Sequence, residues 1–137
     1  MIDYDGLLNE EVWKTTEIAD SFTVNSPVFG AQSRFASEIH MFYDNNAIYI
    51  GGNLFDSNPD SVNYVLSQRD DTGNADWFGI SLDPYANSVS AFAFIVTAAG
   101  VEIDGLESSD GMDESWNAVW KSAVSKTEFG WSFELRI

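Results

Sequence analysis

The sequence predicts an all-β fold, a sandwich of antiparallel strands with at most short helical turns. Apolar residues recur at alternate positions in about eight short stretches, which is the period of a strand with one face in a core. Turn-forming residues separate these stretches about every 8–12 residues. Ten Phe, five Trp and five Tyr supply the aromatic side chains of a core. The 137 residues fit one domain, so we expect a single domain over residues 1–137.

The first part of the chain predicts a short helical turn, a weak strand and a hairpin. The turn ends near Trp13, which we expect to pack against the core. Residues 18–24 alternate weakly and predict the strand. Two stronger strands, 34–43 and 47–55, flank a tight turn of Asp and Asn, residues that tolerate positive φ. His40, the only histidine, is predicted to lie on the surface of the first of them.

The rest of the chain predicts strands separated by acidic loops. Residues 61–68 are ambiguous, because their apolar residues have helical spacing. A long loop is predicted over residues 105–114. The predicted strands are residues 76–83, 89–97, 101–104, 116–126 and 131–137.

The strand at 76–83 follows an acidic loop and is interpreted as a central strand. Phe78 and alternate residues after it face the core, so Trp77 faces outward. An exposed indole can stack on a pyranose ring, which makes Trp77 the candidate sugar platform. The alternative is that Trp77 packs under a neighbouring loop or edge. Trp116 and Asn74 complete the candidate ligand-binding residues.

Charge limits the partners of the protein. There are 22 Asp and Glu residues against six Lys and Arg, giving a formal charge of -16. Such a polyanion repels phosphate backbones and anionic lipid, so we expect no nucleic acid and no insertion into a membrane by this domain. There is no cysteine, which excludes disulfides and thiolate metal sites. Divalent cations and neutral ligands fit this charge.

Aspartates in the loops predict a calcium site. Crowded carboxylates raise one another's pKa unless a cation neutralises them. Calcium takes roughly six to eight oxygen ligands from flexible loops. The alternative is that the loops lie apart and each carboxylate is solvated, with Arg69 paired locally. The candidate calcium ligands are Asp56, Asp60, Asp70, Asp71, Asp76 and Asp104.

The sequence predicts a protein without enzymatic activity. A Ser-His-Asp triad would have to use His40, and no Gly-x-Ser-x-Gly turn is present. Two carboxylates for glycoside hydrolysis stay an open alternative, but no spacing selects a pair.

A series of motifs in order along the chain resembles a known family. The motifs are Asp5-Gly6-x-Leu8-Asn9-Glu10-x-x-Trp13, Phe42-Tyr43-Asp44-Asn45-Asn46-Ala47-Ile48-Tyr49-Ile50, Phe55-Asp56-Ser57-Asn58-Pro59, Arg69-Asp70-Asp71 with Asp76, Leu82-Asp83, Gly100-x-x-x-Asp104, Trp116-Asn117-x-Val119-Trp120 and Gly130-Trp131-Ser132-x-Glu134. Together they resemble the family 9 carbohydrate-binding-module-like domains, of the type found at the N-terminus of large bacterial surface and outer-membrane proteins.

The resemblance implies an immunoglobulin-like β-sandwich. In members attached to xylanases it also implies calcium sites and a clamp of two tryptophans for the ends of sugar chains. The first clamp tryptophan lies just before the position of Asp76, where this sequence has Gly73, Asn74 and Ala75. From the resemblance we expect a carbohydrate-binding-like module, in which binding would rest on another aromatic face such as that of Trp77. Because the clamp tryptophan is absent, the alternative is a structural or interaction domain that has lost sugar binding.

The two termini predict a piece of a longer, exported polypeptide. Alternation continues from Trp131 to Ile137, so the last strand is cut in mid-pattern. The first residues lack the basic and apolar regions of a signal peptide, which we expect to lie outside this sequence. The expected location is extracellular, periplasmic or at the cell surface.

Overall fold

The computed structural model describes residues 1–137 and confirms the all-β class. Strands hold 41% of the residues and form two antiparallel sheets, as an all-β sandwich requires. The elements are α1 (Glu11–Thr15), β1 (Ile18–Ala19), β2 (Ser37–Tyr43), β3 (Ile48–Phe55), a 3-10 turn (Pro59–Ser61), β4 (Trp77–Leu82), β5 (Ala91–Thr97), β6 (Glu102–Ser108), β7 (Gly111–Asp113), β8 (Lys121–Thr127) and β9 (Gly130–Arg136). The chain divides into two compact units, one of residues 1–62 with 120–137 and one of residues 63–119.

The first unit contains a five-stranded sheet in the order β1-β2-β3-β9-β8. Its predicted hairpin β2–β3 is confirmed. Asp44 closes the turn, because its Oδ1 accepts the N–H groups of Asn46 and Ala47 at 2.7 and 2.9 Å. One face of the sheet is apolar and carries the fully buried Ile50 and Phe133.

The opposite face of this sheet is covered by the N-terminal segment, residues 3–13. Glu134 of β9 fastens the segment: Oε2 accepts the N–H groups of Asp5 and Gly6 at 3.1 and 3.0 Å, and Oε1 accepts Trp13 Nε1 at 3.0 Å. Ser132 and Ser125 donate to the carbonyls of Gly6 and Asp5. These hydrogen bonds therefore hold the segment on the sheet together with the Leu8 and Trp13 side chains, which lie against Gly51.

Trp13 is 1% exposed, which confirms its predicted place in the core, but the prediction for His40 is wrong. His40 is 7% exposed and lies under Trp13, with the two rings edge-on and their centroids 6.3 Å apart. The alternation within β2 does not encode this burial, because the cover comes from a separate segment of the chain.

The second unit contains a four-stranded sheet in the order β4-β5-β6-β7. The predicted central position of β4 is wrong, since β4 pairs only with β5 and forms an edge. The predicted long loop at 105–114 is also wrong: β6 continues to Ser108 and turns into β7. The strand predicted from residue 116 begins at Lys121, and residues 61–68 contain no helix beyond the end of the 3-10 turn.

Candidate functional site

Trp77 begins β4 and is 54% exposed, so its predicted outward orientation is confirmed. Gly79 provides the surface on which the indole rests. A Cβ on Gly79 would stand 3.1 Å from Trp77 Cζ3, a tight contact that the ring could relieve only by shifting a few tenths of an ångström. Thr97, directly across the ladder from Trp77, is fully buried. Trp77 thus lies where the covered part of this sheet face meets solvent.

The loop before β4 is held at a defined place beside Trp77. The N–H of Asp76 donates to the carbonyl of Asn63 at 3.1 Å, and the carbonyl of Asp76 accepts the N–H of Ala98 at 2.8 Å. The Asn63 side chain also donates to the carbonyl of Asn74. Backbone bonds therefore anchor the loop, and the side chains of Asn74 and Asp76 stay exposed.

Arg69 is the cation among the acidic residues of the second unit. Its guanidinium nitrogens lie 3.0 Å from Asp104 Oδ2, 3.3 Å from Glu102 Oε2 and 3.8 Å from Asp70 Oδ2. The buried Asp104 carboxylate also accepts the N–H of Ala118 at 3.0 Å. Asp70 Oδ1 accepts the N–H of Asp104 at 3.2 Å. Arg69 is thus paired, as the alternative to a calcium site predicted. Its partners are Glu102 and Asp104 on β6 and its sequence neighbour Asp70.

Two of the other predicted calcium ligands, Asp56 and Asp71, accept hydrogen bonds within their own turns. Asp56 accepts the N–H of Asn58 at 2.8 Å and the Ser61 hydroxyl at 3.0 Å. Asp71 accepts the N–H of Gly73 at 2.8 Å. These are contacts of tight turns, for which an Asp side chain is suited. Asp60 lies 3.8 Å from Lys126 Nζ, at an exposed position.

The residues as placed do not form a calcium ligand set. No group of three or more His, Cys, Asp or Glu side chains could hold a metal ion. A cation of the protein itself, Arg69, lies within 4 Å of three carboxylates, those of Asp70, Glu102 and Asp104. Calcium therefore stays a prediction of the sequence.

Thermal unfolding after chelation, and again after calcium is restored, tests this prediction. Calcium that binds only the folded state, at about a hundredfold excess over its Kd, should add about 2.7 kcal/mol. For a chain of this size the expected rise in Tm is roughly 5–10 °C. An unchanged Tm would contradict calcium binding and leave Arg69 as the balancing charge.

Trp116 lies against the core of the second unit. Its ring centroid is 4.7 Å from that of Phe92 and 6.0 Å from that of Phe94, and the residue is half-buried. These contacts use ring surface that a sugar would need. Trp77 is therefore better placed than Trp116 to meet a ligand.

A pocket in the first unit was not predicted. It has a volume of about 400 Å³ and is lined by Met1, Ile2, Tyr4, Val12, Phe42, Asp44, Tyr49 and Arg136. Its walls come from β2, β3, β9 and the start of the chain. No local motif marks such a site, because strand pairing and the placement of residues 1–12 on the sheet bring these residues together.

Comparison of the chain with protein-family models, curated proteins and solved structures gave no match. The family 9 resemblance is thus an expectation from the motifs, and function is argued from the residues of the two units. None of the helices has the length and apolar character needed to cross a membrane.

Proposed function

We propose that this chain is a non-catalytic carbohydrate-binding module of a secreted or surface-exposed bacterial protein, with Trp77 as its sugar platform. The exposed indole resting on Gly79 is the observation that supports this most. An indole presents a broad apolar surface, which the C–H groups of a pyranose can cover. The exposed side chains of Asn74 and Asp76 offer hydrogen-bond partners for sugar hydroxyls.

Charge and the position of the histidine also support the proposal. A neutral glycan meets no repulsion from a protein of charge -16. His40 is buried against Trp13, so it is not positioned for proton transfer to a substrate at the surface. Binding without chemistry fits these residues best.

Replacing Trp77 with alanine is expected to abolish binding in a glycan screen. The screen uses soluble polysaccharides and their oligosaccharides, and affinity is then measured by calorimetry for any that bind. Loss of a central tryptophan contact costs about 2 kcal/mol or more, so we expect affinity to fall by at least about thirtyfold, below detection in the screen. Tyr85→Ala is the matched control, because Tyr85 is a 71% exposed aromatic residue of the same unit. Equal affinity of Trp77→Ala and the parent protein would contradict this site.

A structural or interaction domain of an outer-membrane-associated protein, joined to the rest of a larger polypeptide, is the second proposal. Exposed apolar side chains of the second unit favour it: Leu66 is 77% exposed and Val119 fully exposed. Under this proposal no glycan gives a saturable signal. A saturable signal that disappears in Trp77→Ala would overturn it.

A further inference from the structure

A row of large side chains crosses four strands at one end of the five-stranded sheet. The register pairs Phe42 with Tyr49, Tyr49 with Arg136, and Arg136 with Lys121. Directly paired residues of antiparallel strands project from the same face, so these side chains are neighbours. The row lies on the sheet face that the N-terminal segment covers. On β9 it is two residues beyond Glu134, which binds that segment.

Two positive charges in this row lack an acidic partner. Lys121 and Arg136 are directly paired, and like charges in that arrangement repel. Neither forms an ion pair, although the chain has 22 acidic residues and only six basic ones. Lys121 Nζ instead lies 4.6 Å from the centroid of the Tyr4 ring. An anion placed beside Arg136 would relieve this repulsion.

The only carboxylate that lines the pocket is already engaged. Asp44 accepts two backbone N–H groups of its own turn through Oδ1, and the Tyr49 hydroxyl through Oδ2 at 3.2 Å. The hydrogen bond from the N–H of Asn46 is the main cause of the lowered pKa of Asp44. Asp44 is therefore held by the hydrogen bonds of its own turn and forms no ion pair with Arg136.

Three aromatic side chains, with the aliphatic Met1, Ile2 and Val12, form the rest of the wall. The rings of Phe42 and Tyr49 are stacked, with centroids 4.7 Å apart and planes at 13°. Tyr4 also lines the pocket, whose volume of about 400 Å³ lies within the usual range for small-molecule sites. The pocket thus combines a ring-binding wall with one guanidinium.

We propose that this pocket binds a small organic acid whose carboxylate is attached to a ring. Arg136 pairs with the carboxylate, for which its planar group of donors is suited, and Tyr4, Phe42 and Tyr49 contact the ring. The site uses none of the residues assigned to glycan binding, so it does not depend on that proposal.

Titration with benzoate, followed by NMR, tests the site on the whole chain. Benzoate combines ring and carboxylate, acetate has the carboxylate alone and benzyl alcohol the ring alone. We expect benzoate to bind saturably and at least about tenfold more tightly than either. The titration is made at an ionic strength of about 0.15 M, which screens the net charge of -16 beyond about 8 Å, so that it repels the anionic ligands less.

Arg136→Gln is expected to weaken benzoate binding by about tenfold or more, because it removes the guanidinium that pairs with the carboxylate. The variant should stay folded, because the change also removes the repulsion between Arg136 and Lys121. Arg34→Gln is the matched control, since Arg34 is an exposed arginine of the same unit outside the pocket, and it should bind like the parent. No saturation with benzoate, acetate binding as tight as benzoate, or equal losses in the two variants would overturn the proposal.

Discussion

Replacing Glu134 with leucine is expected to lower the free energy of unfolding by about 3–5 kcal/mol. Glu134 is fully buried and accepts three hydrogen bonds, from Asp5, Gly6 and the Trp13 indole. Each buried donor left without an acceptor costs about 1–3 kcal/mol, and partial rehydration limits the sum. Chemical denaturation measures the loss, and the Tm should fall by roughly 3–5 °C per kcal/mol.

The size of this loss should depend on pH. Burial raises the pKa of Glu134 from its usual 4.5 to about 6. An acid whose pKa is raised by folding stabilises the protein below its unfolded pKa, and that contribution is lost as the pH rises through about 6. This pH-dependent contribution of Glu134 to the stability of the parent protein is on the order of 1–2 kcal/mol. Glu134→Leu lacks this titration, so its deficit relative to the parent should be larger at pH 4.5 than at pH 7.

Glu128→Leu is the control for the Glu134 variant, because Glu128 is an exposed glutamate of the β8–β9 turn. Its stability should stay within about 0.5 kcal/mol of the parent protein. A Glu134→Leu protein as stable as this control would contradict the role of Glu134 in holding the N-terminal segment.

Replacing Gly6 with alanine is expected to lower the free energy of unfolding by a similar amount, about 2–5 kcal/mol. Gly6 has φ +83°, where an L side chain is strained, and this alone costs about 1–2 kcal/mol. A Cβ there would also stand 2.5 Å from the backbone carbon of Val124 and 2.7 Å from the nitrogen of Ser125. Relieving that overlap moves the segment off β8 and adds about 1–3 kcal/mol.

Gly30→Ala separates the two causes. Gly30 has nearly the same φ, +79°, but a Cβ there meets nothing within 4 Å. Its loss should therefore be only the backbone part, about 1–2 kcal/mol. Equal losses in the two variants, measured by denaturant unfolding, would mean that the N-terminal segment separates from β8 at little cost.

Local alternation predicted the strands well, because it reports which side of a strand is buried. It placed the β2–β3 hairpin and the outward orientation of Trp77, and both are found. It could not place β4 at an edge or His40 under Trp13, because both depend on segments far away in sequence. The partners of Arg69 show the same limit: Asp104 lies 35 residues along the chain, on β6.

The candidate pocket was out of reach for the same reason. Arg136 and Tyr49 are 87 residues apart and become neighbours only through the register of β3 with β9. Neither residue has a motif around it that indicates a ligand. The exposed Trp77 could be found from the sequence because its orientation follows from its own strand, and Asn74 because it lies in the adjoining loop.

The central position of β9 has a consequence for synthesis on the ribosome. β9 is buried between β3 and β8, and it carries Glu134 and Ser132, which fasten residues made more than 100 positions earlier. Closing so long a loop is entropically costly, and folds dominated by distant contacts assemble slowly. The β2–β3 hairpin therefore leaves the ribosome with an unpaired edge, and that edge is open to chaperones or to aggregation until residues 130–136 emerge.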